Sequence, residues 1–137
     1  MTQAAVTEDI RFLLDANALG VSGTDLFSYE WGSSIDGKEI DKQVLVVDSD
    51  SITSDLKETY EQPTFIIYTR GNPGESAKVV HDKARPIFDF LRAQPTQAIN
   101  GVDYLEFEPI GGLLPLGRDD NKRFVYSMNF YTFRDPI

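Results

Sequence analysis

Cysteine is absent from the 137 residues, histidine occurs once, and thirteen Lys and Arg face twenty-two Asp and Glu. Without cysteine there is no disulfide, no thiolate nucleophile and no cysteine-ligated zinc. The shortage of basic residues gives a formal net charge of −9. That argues against sequence-independent binding to a nucleic-acid backbone, which draws its strength from Lys and Arg displacing counterions. No run of about 18 apolar residues exists, so no transmembrane helix is expected. The opening MTQAAVTEDIRFLL has neither the basic segment nor the apolar core of a signal peptide. The chain therefore reads as soluble, made in the cytoplasm and without membrane contact.

What is present suits a packed core. Hydrophobic residues make up 41% of the chain, with nine Phe, six Tyr and one Trp, and this length reads as a single domain, 1–137. Val6, Ile10, Leu13 and Leu14 recur at helical spacing, predicting a helix over 7–18 with Gly20 as its C-cap glycine. In LFSYEW (26–31) Phe27, Tyr29 and Trp31 alternate as in a half-buried strand. Residues 32–42 read as turn or loop, and QVLVVD (43–48) as a strand covered on both faces. The polar stretch 48–62 reads as loop or a short helical turn. TFIIYT (64–69) is the next strand. Ala77, Val80, Ala84, Ile87, Phe88 and Leu91 then define a helix over 75–92, kinked at Pro86 or broken there into two abutting helices. Asn100-Gly101 marks a two-residue hairpin turn. In the strand that follows, Leu105 and Phe107 point one way. IGGLLPLGRDDN reads as a breaker-rich link, and 123–134 as a long strand with Phe124, Tyr126, Met128 and Phe130 on one face. The fold class is α+β: an antiparallel or mixed sheet with two main helices packed on one side.

Candidate chemistry fails on spacing. TFIIYTRGNPGESAKVV (64–80) looks like a phosphate loop, but a P-loop needs four residues between its glycines and Lys directly after the second. Here two residues separate Gly71 from Gly74, Pro73 removes an N–H donor, and Glu75 brings its own negative charge. Asp48, Asp50 and Asp55 resemble the start of a calcium loop, but Ile52, Thr53 and Thr59 stand where a fifth-position oxygen ligand, the glycine and the glutamate are required. Glu106 and Glu108 fit the solvent side of an amphipathic strand better than an acid–base pair. His81 alone on a helix flank defines no catalytic group. Neither an enzyme, a cofactor nor a metal is expected. The last strand offers an edge, and Tyr131, Phe133 and Arg134 are of the types enriched at interfaces.

The order of these features resembles the tail terminator (tail completion, minor capsid) proteins of long-tailed bacteriophages. The resemblance is carried by the N-terminal helix, EQPTFIIYTRG, the helix ending FDFLRAQ, the ING turn and GRDDNKRFVYSMNFYTFR. Pro63, Arg70 and Gly71 match a proline before a strand that closes on Arg-Gly. Ala77, Ala84, Ile87 and Leu91 match the helix, and Asp119, Asp120, Arg123 and Phe130 match an acidic turn entering the final strand. The segment 32–60 carries little of the pattern. The resemblance implies a virion protein that forms a ring, hexameric in this family, with the tail tube protein on one side and the head-completion or stopper protein of the neck on the other. It places candidate self or partner contacts at Arg70, Asp119, Asp120 and Arg123, to which the interface composition adds Tyr131 and Arg134. A ring of six chains at −9 each would repel DNA phosphates passing through it. The alternatives are another neck or tail-tube component, such as a head–tail connector, or a small ligand-binding or hydrolytic α+β domain using Glu106, Glu108 or His81. Tube proteins carry a long β-hairpin arm, for which 32–42 is the candidate here.

Overall fold

The apolar stripes of the two helices and of the central strands point to one layer. The computed structural model describes residues 6–34, 37–49 and 62–134. In chain order they form α1 (Val6–Ala16), β1 (Leu26–Ser28), β2 (Gln43–Asp48), β3 (Thr64–Pro73), α2 (Ala77–Arg92), β4 (Gln97–Ile99), β5 (Val102–Pro109), β6 (Leu114–Arg118) and β7 (Arg123–Arg134). The strands make one mixed sheet in the order β1-β2-β3-β7-β5-β4, with β6 also paired to β7. β1 runs parallel to β2, and the other strand pairs are antiparallel. Alternate residues of the central strands, Val44 and Val46, Phe65 and Ile67, Met128 and Phe130, share the face that buries Ile10 and Leu14 of α1 and Ala84, Ile87 and Leu91 of α2. α1 lies over β1 to β3 and α2 over β3, β5 and β7, so both helices pack on one face as expected. Phe65 stacks on Phe130 at 5.7 Å and meets Phe107 edge-on at 6.2 Å. Each fully buried side chain of this size contributes about 1.5–3 kcal/mol.

The edge of β7 away from β3 is shared. β5 takes its C-terminal half, through Phe107↔Thr132 and Pro109↔Phe130, and β6 takes its N-terminal half, through Leu114↔Ser127 and Arg118↔Phe124. In the β6 half one row of residues crosses five strands, Phe27–Leu45–Tyr68–Ser127–Leu114. β1 and β6 therefore stand at opposite edges of this half, four strand spacings or about 19 Å apart.

Several boundaries differ from expectation for local reasons. α1 stops at Ala16, and Ala18 (φ 60°), not Gly20, takes the left-handed position. Ala18 N–H donates to the Asp15 carbonyl and Leu19 N–H to the Leu14 carbonyl, the two bonds of a Schellman cap. β1 covers three residues instead of six because Tyr29 turns to φ 73°. Its buried residue is Leu26, and Phe27, Tyr29 and Trp31 are not. In β5 a bulge between Tyr104 and Phe107 inserts a residue, so Tyr104 and Phe107 both point inward and Leu105 does not pair with Phe107. The breaker-rich link contains a strand, β6, which accommodates Pro115 and Gly117 at a second bulge. α2 starts at Ala77 behind an N-cap at Ser76 and runs unbroken through Pro86. The 100–101 turn is as expected, with φ 51° and 81°, which suits a type I′ hairpin. Most of the 48–62 stretch, including Asp50 and Asp55, lies outside the described residues.

A non-glycine residue at φ 60° carries a steric cost that glycine does not. Ala18→Gly is expected to raise stability by about 0.5–1 kcal/mol, read as a higher urea midpoint at unchanged slope.

Candidate interaction site

The face of the sheet away from the helices carries polar side chains at positions the sequence reads as plain strand. Gln43 begins β2 directly opposite Arg70 of β3. Gln43 is almost fully buried; its amide nitrogen donates to the Gly32 and Ile40 carbonyls at 3.2 and 2.6 Å, and its oxygen accepts from Gly32 N–H at 2.8 Å. Arg70 is only 2% exposed. It donates from Nε to the Asp41 carbonyl at 2.9 Å and from Nη2 to the Ile40 carbonyl at 2.7 Å, while its guanidinium lies 4.0 Å from the centre of the Trp31 ring. Arg123, at the start of β7 and 4% exposed, donates to Asp119 at 2.8 Å and Asp41 at 3.1 Å and sits 3.0 Å from Glu39. Glu39 also lies 3.5 Å from Arg70.

Three carboxylates thus surround two neighbouring guanidinium groups. Burial, and then the adjacent Arg123 charge, lower the pKa of Arg70, but an arginine stays charged at any working pH. Arg123 shifts upward: burial opposes its charge, and the bonds to Asp119, Glu39 and Asp41 outweigh it. Asp119 is held below the usual carboxylate range. Burial works against it, and the Arg123 backbone N–H, the Arg123 side chain and the Asn121 N–H together prevail.

A second cluster lies on the helix side. Asp9, in the first turn of α1 and fully buried, accepts a short hydrogen bond from the Tyr104 hydroxyl and one of 2.8 Å from the Asn100 amide. Arg134 donates to the Tyr104 oxygen at 3.1 Å and lies 4.0 Å from Asp9. Burial first, and then the Asp9 hydrogen bond, push the Tyr104 phenol well above its ordinary value.

The six candidate residues therefore do not form one patch. Arg70, Asp119 and Arg123 meet in the first cluster, and Arg134 belongs to the second, across the sheet. Asp120 is exposed in the turn between β6 and β7. Tyr131 is half-buried on the helix-free face, edge-on to Phe133 at 5.9 Å and paired in register with Thr64 and Glu108. His81 sits 5.6 Å from the Tyr126 ring and 3.5 Å from Asp82 on α2, whereas Glu106 and Glu108 stand on β5. The sequence reading passed over Glu39, Asp41, Gln43 and Asp9. A signal for Gln43 exists in retrospect: a polar residue opens an otherwise apolar strand. It also passed over Ile110, Leu114 and Leu116, which are about half exposed in a stretch read only for its glycines and proline.

Both clusters hold loops and chain ends to the sheet, and a hollow of about 350 Å³ lined by Trp31, Tyr68, Leu116 and Val125 opens on the same face as the first. A small α+β domain built on one mixed sheet is the class these features define. Residues 13–135 match the family described as bacteriophage tail terminator protein, and the chain belongs to that family. The match runs through 32–60, where the sequence pattern was thin. No match was found among curated proteins. The family is structural and not enzymatic, its place is the virion tail, and it works through contact with other tail or neck proteins. Among the described residues no helix is long and apolar enough to cross a membrane.

A carboxylate whose folded pKa is depressed adds stability above its unfolded value, about 3.9, and loses it as pH falls through the folded value. Asp119→Asn should cost about 1 kcal/mol at pH 7, and the melting-temperature gap to the parent should narrow as the pH falls below the unfolded carboxylate value of about 3.9. A gap that stays constant with pH would assign the effect to shape and not to charge.

Proposed function

We propose that the chain forms a ring, six copies in number, that caps the finished tail tube, stops its polymerisation and offers its other face to the head-completion or stopper protein of the neck. The observation that carries this reading is the family match across residues 13–135. The fold supports it. The two arginines of the first cluster are bonded within the protomer: Arg70 holds the 39–41 segment, and Arg123 holds both that segment and Asp119 of the 119–122 turn. In this reading Asp120 on that turn and Tyr131 on the helix-free face are direct contacts, and Arg70, Asp119, Arg123 and Arg134 hold the surfaces they stand on. The formal charge of −9 per chain keeps genome phosphates from adhering as DNA passes through the ring. Assembly takes place in the host cytoplasm.

The experiment is tube growth. Tail tube protein polymerised alone should give tubes of uncontrolled length in electron micrographs, and addition of this chain should stop growth and leave a density at one end. Native mass spectrometry of the capped ends should give six copies. Unchanged tube lengths at saturating protein would sink the capping reading, and a different copy number would correct the stoichiometry alone.

A further inference from the structure

Seven large apolar side chains stand out as exposed among the described residues, and six of them fall into two groups. Phe12 on α1, which packs over β1, and Val21 and Tyr29 in the chain on either side of β1 are 54%, 56% and 52% exposed. Phe12 shares a hollow of about 290 Å³ with Asp15 and Ser22, Val21 precedes Ser22 in the chain, and Tyr29 directly follows β1. Ile110, Leu114 and Leu116, at 50%, 52% and 51%, lie on β6 and the loop leading to it. Isolated exposed apolar residues need no explanation, but grouped ones mark contact surfaces. These two groups occupy opposite ends of the row Phe27–Leu45–Tyr68–Ser127–Leu114.

Neither edge is fit to extend the sheet by strand pairing. At β1 the Leu26 N–H and carbonyl are bonded to Val21 and Gly23 of the preceding turn, and Tyr29 leaves the extended conformation. β6 contains Pro115, which has no N–H, and a bulge, both devices that blunt an edge. Contact at these edges must run through side chains. Their charges are complementary. Asp15, Asp25 and Glu30 flank the first group, with Arg11 already paired to Glu8. At the Leu116 end of the second group Arg118 and Lys122 outnumber the exposed Asp120, while Glu108 stands beside Ile110 at the other end. A cyclic ring needs a heterologous contact, two different patches on each copy that fit one another.

We infer that the β6 edge of one copy, through Ile110, Leu114 and Leu116, seats against the Phe12–Val21–Tyr29 edge of the next copy, with Arg118 and Lys122 facing its Asp15, Asp25 and Glu30. This inference rests on the ring reading above and adds which edges meet. It commits to a second copy as the occupant because both halves of the contact are on the same chain, at opposite edges, with opposite charge.

The test uses two variants, Phe12→Glu and Leu116→Glu, each of which ruins one edge and leaves the other intact. Because both residues are about half exposed, the fold should tolerate them, which circular dichroism melting checks. Each variant alone should lose ring formation on tail tubes, with self-association weakened about tenfold or more. Mixed in equal amounts they should form a two-chain complex and stop, since the mixture retains one good contact. A ring from either variant alone would overturn the edge assignment while leaving the ring reading intact. A mixture that stays monomeric would overturn the head-to-tail geometry. A parent chain that neither self-associates nor caps tubes would bring down the ring reading and this inference with it. The absence of native cysteine allows an independent readout. The double variant F12C/L116C, treated with a flexible bis-maleimide on tail tubes, should give a ladder of multimers on a denaturing gel, whereas either single-cysteine variant should give none. No ladder from the double variant, with rings present, overturns the assignment.

Discussion

Two buried guanidinium groups on the helix-free face, Arg70 and Arg123, impose the arrangement of everything around them. Like charges this close repel, and each loses hydration on burial, so the pair is tolerable only if carboxylates and carbonyls converge on it. They come from two separate segments: Glu39, the Ile40 carbonyl and Asp41 from one, Asp119 from the other. Both are thereby drawn onto a face that no helix covers. Trp31 follows, held under Arg70 by a cation–π contact that is strengthened where water is excluded, with its ring 6.1 Å from Tyr68. The same knot extends to the entry of α2. Gly74 N–H donates to the Lys122 carbonyl, and Arg118 donates to the carbonyls of Glu75 and Lys122. The strand-to-helix turn at 70–76 is thus locked from two sides. Gly71 is required inside it because a Cβ there would lie 2.5 Å from Val80 Cγ2.

The helix-side cluster solves a different problem. α1 and the end of β7 are far apart in the chain, and Asp9, Asn100, Tyr104 and Arg134 join them through bonds between residues more than ninety positions apart. A carboxylate buried this deeply would be costly alone, and the hydroxyl, amide and nearby guanidinium together satisfy it. The two clusters therefore divide the work by face: one secures loops to the open side of the sheet, the other ties the first helix to the last strand across the core.

How much of this was legible in the sequence follows from the range of each interaction. The inward stripes of α2 and β7 could be read because their periodicity is local, and the 123–134 strand was recovered to the residue. Asn100-Gly101 was legible because positive φ at both positions favours those residue types. The failures share a cause. Positive φ at Ala18 and Tyr29 is imposed by the surrounding fold on residues that do not advertise it. The β5 bulge shifts an alternation that looked regular, and β6 exists because β7 supplies a partner for a segment whose own composition argues against a strand. Arg70, Asp119 and Arg123 were picked out together, and Asp119 meets Arg123 only four positions away, but that Arg70, Glu39 and Asp41 join them depends on pairings over 29 to 82 positions that no local pattern encodes.

The blunted edges make physical sense for a subunit that ends a polymer. A sheet with an open, regular edge can add strands without limit, since each added copy presents the same edge again. Pro115 and the bulge in β6, and the closed turn and left-handed Tyr29 at β1, remove that route at both ends of one row. Association through side-chain patches behaves differently. The angle between the two patches sets a fixed rotation per copy, and a rotation that divides the circle closes the assembly into a finite ring. In the proposed ring, the features that forbid strand pairing along this row and those that permit lateral contact are therefore parts of one device: a surface that binds its own kind sideways through side chains and not by extending the sheet there.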